Sequence, residues 1–260
     1  CTFRVQEVAL GTAHAVYCAQ QDLEGEVIIA FADTLFDSKE TFNVDGADSV
    51  IWLKKVEDPS RFGVAVYEGE QITGFVEKPT EFISDLAIIG VYYFKDGSKL
   101  KTELQYVLDN DIKGPGGEYF LTEALDRMIQ DGKLFKTATV DEWLDCGTLP
   151  AWLETTGIIV EKEAQNSSEQ IDTYAKQGTT IIPPVYLAKN VSLEGVTIGP
   201  NVSVEQGCFF KNTHVSTSLV RDHAMLQGCS LTGSTIGAHT QVSDVRGEVH
   251  VGDHSIISTK

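Results

Sequence analysis

Between Pro184 and Phe210 the chain reads P-V-Y-L-A-K-N-V-S-L-E-G-V-T-I-G-P-N-V-S-V-E-Q-G-C-F-F. Apolar residues recur at Leu187, Leu193, Ile198, Val204 and Phe210. The step of five or six residues fits neither the helical period nor strand alternation. The series continues less regularly through Val215, Leu226, Leu231, Ile236 and Val242, with Gly, Asn and Ser between. A repeat this short is expected of a β-solenoid, in which each apolar residue stacks on its equivalent in the next coil. An antiparallel sandwich with many turns is the plainer alternative, but sandwiches do not keep so short a period.

The pattern resembles the hexapeptide repeat of left-handed parallel β-helices, so residues 179–260 are assigned to such a domain. Upstream the pattern differs. Val27 to Phe31 is a continuous apolar run, as in a buried parallel strand. Thr12 to Gln20 reads as a helix with Ala13, Val16, Tyr17 and Ala19 as packing candidates. Further strands are expected at Ser49–Lys54, Phe62–Tyr67, Leu86–Phe94 and Phe135–Val140, with a turn over residues 68–70. A helix is expected at Thr122–Gln130, stopped by Gly132. Strands alternating with helices predict a parallel α/β sheet over residues 1–148. Residues 149–178 read as a helix, Pro150–Glu163, and a polar connection over 164–177.

Composition narrows the partners. The 260 residues carry a formal net charge of -18, from 38 acids and 20 bases. Such a surface repels phosphate backbones, so nucleic acid is not expected as a partner. A phosphorylated ligand must then meet local lysines, backbone N–H groups or a metal ion. The 5 cysteines are scattered, without Cys-x-x-Cys spacing. Reduced thiols and a cytoplasmic protein are expected, with no membrane span or signal peptide. Position 1 is Cys, so a truncated or partial chain is favoured over the mature start of a lipoprotein.

Several motifs follow in order: Q-E-V-A-L-G-T-A-H-A-V at 6–16, V-I-I-A-F-A-D-T-L-F at 27–36, F-G-V-A-V at 62–66, F-V-E-K-P at 75–79 and W-L-D-C-G-T at 143–148. Each is weak alone. Together, on an α/β background ahead of a β-helix, they resemble the sugar-1-phosphate nucleotidyltransferases, the thymidylyltransferase-like members above all. The resemblance implies a Rossmann-like nucleotidyltransferase sheet, N-terminally truncated, followed by a left-handed parallel β-helix. It implies one reaction: a sugar 1-phosphate oxygen attacks the α-phosphate of a nucleoside triphosphate, dTTP or UTP favoured, and pyrophosphate leaves. Alignment and charge neutralisation carry such a step.

The resemblance also assigns residues. Asp33 and Asp145 match the aspartates that bind Mg²⁺, as two carboxylates at strand ends can for a hard cation; alone, each reads as a turn or cap aspartate. Lys78 matches the lysine that contacts the sugar phosphate, and Glu77 the acid that accepts from sugar hydroxyls. As bare sequence, the pair reads as a solvated strand end before Pro79. Adjacent strand residues face opposite ways, so only one of the two can line a pocket. Gln6 and Gly11 match residues that recognise the nucleobase. Gly63, Gly90 and Tyr92 match the sugar-pocket wall, although Tyr92 reads equally well as core. Glu118 falls in a stretch near the sugar and reads otherwise as a helix cap.

Departures from the pattern matter. The family's N-terminal strand, G-x-G-T-R loop and following lysine have no match here. The resemblance therefore implies an open sheet core and no catalysis by this chain alone. Ala32 stands in place of glycine, Ile88 and Ile89 in place of small or polar residues, and Gly116 where a cation can sit, which leaves sugar and base choice open. A regulatory subunit on the same fold is one alternative. A β-helix acyltransferase using one of five solenoid histidines, His214, His223, His239, His250 or His254, is a weaker one, because the solenoid is short. The flat coil faces suit a homo-oligomer.

Overall fold

Leu86–Phe94 is nine residues of almost unbroken apolar sequence, LAIIGVYYF, and its side chains are buried on both faces from Ala87 onward. Such a run belongs at the centre of a sheet covered on both sides. In the computed structural model, which describes residues 1–39, 43–68, 71–163 and 179–259, it occupies that place. The chain forms two compact units, Cys1–Leu144 and Asp145–Lys260.

The N-terminal unit begins with the short helix α1 (Thr12–Tyr17) and strands β1 (Val27–Ala30), β2 (Thr34–Asp37), β3 (Ser49–Lys55), β4 (Gly63–Glu68), β5 (Gln71–Glu77) and β6 (Leu86–Phe94). Helices α2 (Gly97–Asp109) and α3 (Leu121–Gln130) and strands β7 (Phe135–Thr139) and β8 (Glu142–Asp145) follow. The main sheet runs β5-β4-β6-β3-β7, with β1 added to β6, while β2 and β8 form a separate two-stranded sheet.

The expected parallel sheet is corrected here. In the main sheet, among the described residues, only β3 and β7 pair in parallel; β1–β6, β3–β6, β4–β5 and β4–β6 are antiparallel. A buried hydrophobic run reports that both faces are covered and carries no information on the direction of its neighbours. Val27–Phe31 is corrected in the same way. The strand ends at Ala30, pairs on one side only, and alternates half-buried and exposed residues, with Ile28 61% exposed. Helix α1 is also shorter than expected and stops at Tyr17.

The helices follow their sequence signals. The Asp96 carboxylate accepts from the N–H groups of Ser98 and Lys99, which caps α2. In α3, Leu121, Ala124, Leu125 and Met128 recur at helical spacing and are buried. Gly132, at φ 78°, supplies the left-handed residue beyond its end. Between the two helices, Glu103, 3% exposed, accepts from Lys99 Nζ at 2.6 Å and Arg127 Nε at 2.7 Å. A buried carboxylate is tolerable only when paired in this way.

The second unit is a solenoid. Fifteen short strands form three five-stranded parallel sheets, one per face, consistent with the expected left-handed β-helix. On one face Leu193, Phe210, Leu226, Val242 and Ile257 lie in register. On a second, Leu187, Val204, Val220, Ile236 and Val251 do the same. The coils shorten along the chain. Leu193 to Phe210 spans 17 residues, Phe210 to Leu226 and Leu226 to Val242 span 16 each, and Val242 to Ile257 spans 15. Corner residues take left-handed backbone, as Asn190, Gly207, His223, His239 and His254 do along one edge. The last three stack their rings, 5.1 Å apart for each pair. Helix α4 (Leu149–Glu163) lies on the face built from Val185–Leu187, Val202–Val204 and Ser218–Val220. The expected polar connection over 164–177 and the turn residues Gly69 and Glu70 lie outside the described residues.

Among the described residues, no helix is long and apolar enough to cross a membrane. All five cysteines are free. Cys208 is buried and donates to the Arg221 carbonyl at 3.0 Å. Burial pushes its thiol up to about 11, so it is a packing group rather than a nucleophile.

Candidate active site

Strand β6 changes character at Gly90. On one edge it pairs with β4 at Ala87 and with β1 from Val91 to Phe94. On the other edge the register to β3 shifts between Ile51 and Leu53, so Ile89, Gly90 and Val91 stand opposite Trp52 alone. A bulge of this kind bends a strand and re-aims its side chains. Gly90 has φ 84°, and a Cβ there would lie 3.0 Å from the Phe31 ring. Its carbonyl accepts from Phe31 N–H at 2.9 Å, and the Ile89 carbonyl accepts from Thr34 Oγ1 at 2.6 Å. The segment between β1 and β2, which carries Asp33, is thereby tied to the bulge.

Glu77 ends β5 and pairs with Gly63 at the start of β4. Its Oε2 accepts from Thr122 Oγ1 at 3.3 Å. A Cβ on Gly63 would lie 2.9 Å from that same oxygen, so the glycine leaves the space the carboxylate fills. Burial raises the Glu77 pKa, opposed by the Lys78 charge and assisted by Glu123 and Glu118. Lys78 leaves the strand. Its φ of 45° is rare for a residue with a side chain, and its N–H donates to Phe62 O at 3.0 Å. Its Nζ lies 4.9 Å from the centre of the Phe120 ring, a cation–π distance. Glu77 is therefore partly buried while Lys78 is exposed and bent aside. The two do not simply alternate across a strand.

Tyr92 is 4% exposed and belongs to the core, between Phe31 at 5.7 Å and Phe94 at 6.3 Å. Burial raises its pKa, and the charges of Glu77 and Asp33 add to the effect. These three side chains are thus electrostatic neighbours. Asp33 itself is exposed in the turn before β2. Glu118 is exposed and caps no helix, because α3 begins after Phe120 without a side-chain cap.

Gln6 and Gly11 sit together at the entrance to α1. Gln6 Nε2 donates to Gly11 O at 3.1 Å. Gly11, at φ 109°, lies so close to Tyr119 that a Cβ would be 2.5 Å from its carbonyl oxygen. Tyr119 N–H donates to Leu10 O, and Tyr119 O accepts from Ala13 N–H, both at 2.9 Å. Asp145 is the last residue of β8 and the first of the second unit; its Oδ1 accepts from Gly147 N–H at 2.8 Å. Among the described residues, no group of three or more His, Cys, Asp or Glu could hold a metal ion. Thr122, Phe120 and Phe31 were not legible as site residues. The signal for Thr122 was its place in G-E-Y-F-L-T-E-A, in the first turn of a helix that faces Gly63.

The comparisons with known proteins bear on the family and the fold. Residues 1–162 match the family described as Nucleotidyl transferase. The chain belongs to that family. Among similar family members is a glucose-1-phosphate thymidylyltransferase of Streptomyces griseus, 24% identical over 96% of this chain and 76% of that protein. Another is the bifunctional protein GlmU of Methanococcus vannielii, 27% identical over 93% of this chain. The match spans 65% of that relative's length. A solved UDP-glucose pyrophosphorylase in complex with UDP-glucose superposes with a TM-score of 0.50 at 22% identity, covering 60% of this chain and 64% of that one. That likeness concerns the fold alone.

Proposed function

We propose that the N-terminal unit serves nucleotidyl transfer from a nucleoside triphosphate, dTTP or UTP, to a sugar 1-phosphate, with release of pyrophosphate. The observation that carries this reading is the half-buried Glu77 carboxylate, held by Thr122 over the space left by Gly63. Beside it Lys78 is turned outward by its left-handed backbone. A carboxylate in this setting accepts from sugar hydroxyls, and an exposed ammonium next to it anchors a phosphate. Gly90 walls the sugar while Tyr92 stays in the core, Glu118 lies at the sugar's edge, and Gln6 and Gly11 meet the base. The resemblance assigns Asp33 and Asp145 to Mg²⁺, and each offers carboxylate oxygens of the kind that ion takes. Bound there, the ion would neutralise phosphate charge. The chain's own part is to bind and align the two substrates. Homo-oligomerisation through the solenoid belongs to the same proposal.

The test is binding of glucose 1-phosphate to the protein, measured by calorimetry, together with pyrophosphate release from dTTP and UTP. Glu77→Gln and Lys78→Met are each expected to weaken sugar-phosphate binding by about tenfold or more, the worth of a charge-assisted hydrogen bond. Unchanged affinity in both variants rejects the site. Binding without turnover supports the site alone.

A further inference from the structure

Histidine 14 has no role in the proposal above, yet it touches one of its residues. It lies in α1, and its Nδ1 is 2.9 Å from Gln6 Nε2. The same Nε2 donates to Gly11 O at 3.1 Å. The two contacts together fix more than position. A carbonyl oxygen only accepts, so the end of the Gln6 amide at Gly11 must be the NH₂ group. That group can meet His14 Nδ1 favourably only if Nδ1 accepts. His14 is therefore the neutral tautomer with its proton on Nε2. Both amide hydrogens of Gln6 are then used within the chain, and Oε1 alone remains to meet a ligand.

We infer that His14 is a positioning residue for base selection. By holding the Gln6 amide nitrogen inward, it leaves an acceptor facing the base. Such a site pairs with a ring N–H, as in uracil, thymine or guanine. It disfavours an unprotonated ring nitrogen at the same place, as in cytosine or adenine, where two acceptors would oppose each other. The inference rests on the assignment of Gln6 to the nucleobase. The backbone around it is rigid enough to transmit the choice: Gly11 is clamped against Tyr119, and Gly11 O also accepts from Ala15 N–H at 3.1 Å.

The experiment is calorimetric binding of UMP and CMP to the protein and to three variants, with thermal melting to check folding. The protein is expected to prefer UMP by about tenfold, the scale of one satisfied against one opposed hydrogen bond. His14→Leu keeps bulk and removes the acceptor, so the amide can turn and the preference should fall to within about threefold. His14→Asn offers an Oδ1 in place of Nδ1 and should keep the preference. Gln6→Leu should abolish it, which tests the assignment of Gln6 to the base; if His14→Leu does not fold, His14→Asn decides the matter, and a lost preference there overturns the inference. A merely structural His14 would weaken both nucleotides equally and leave their ratio unchanged; that result overturns the inference. Equal binding of UMP and CMP by the protein overturns it too, while leaving the nucleotide site standing. No binding of either overturns both.

Discussion

The solenoid and the sheet unit solve the same problem, burying apolar surface, in opposite ways. In the solenoid each position recurs. Phe210 sits between Leu193 and Leu226, and the column continues from Leu226 through Val242 to Ile257. The sheet unit has no such redundancy. Its features at Gly90, Gly63 and Lys78 each occur once, at a bulge, a strand start and a strand exit. Repetition gives stability that is close to a sum over neighbouring coils. A binding site needs the reverse, a place where the regular pattern stops.

Three measurements can break or sharpen this contrast. The largest effect is expected from Phe210→Ala, which removes a fully buried ring from the column. The loss should be about 3–5 kcal/mol. If the solenoid behaves as stacked neighbours, faster amide exchange should concentrate in the coils that contain Leu193 and Leu226. Uniform acceleration along the whole column would mean one cooperative block instead.

A smaller effect is expected at Asp126 in α3, whose Oδ1 accepts from Phe75 N–H at 2.6 Å. Burial raises its pKa from 3.8 to about 6, with Glu123 adding to the shift. The folded state thus holds the proton more tightly than the unfolded chain. Stability should be highest below about pH 4 as far as this group is concerned, and should fall as pH rises through about 6. Asp126→Asn keeps the acceptor and removes the charge. It should flatten that slope and stabilise the protein at pH 7 by roughly 1 kcal/mol, allowing for solvent screening of a partly exposed group. Denaturant melts at pH 4 and pH 7 read both quantities; equal slopes in the two proteins would reject the assignment.

The smallest effect is expected at Thr217. It occupies a left-handed corner at φ 45°, where Asn201 and Gly233 stand in the coils before and after. A β-branched residue is strained there. Thr217→Asn should raise stability by about 0.5–1 kcal/mol. A loss would mean that the Thr217 side chain makes a contact worth more than the strain.

The contrast also explains what the sequence disclosed. The solenoid was readable because its period repeats over many coils. Its Gly and Asn corners were readable too, but not those at His223, His239, His254 and Thr217, since these residue types do not announce a left-handed backbone. In the sheet unit the strands at Leu86–Phe94 and Ser49–Lys55 were legible from their apolar runs. Their directions were not, because periodicity describes faces and not neighbours. The exposure of Ile28 was hidden for the same reason. At the site, Glu77, Lys78 and Gly63 stood out through motif order, and Gly90 through the family resemblance. Thr122 and His14 did not, since what marks each is a contact with another side chain, and that contact exists only in three dimensions.

The steady shortening of the coils, from 17 residues to 15, gives the solenoid a polarity that its repeats alone would not. Coils of one length are interchangeable parts. Coils of graded length are not: a copy of an early coil placed late would carry surplus backbone at its corners, and a late coil placed early would fall short of closing. Growth of such a domain by internal duplication is therefore constrained to neighbours of like length. A lengthening is most easily accommodated where the grade is flat, between Phe210 and Val242.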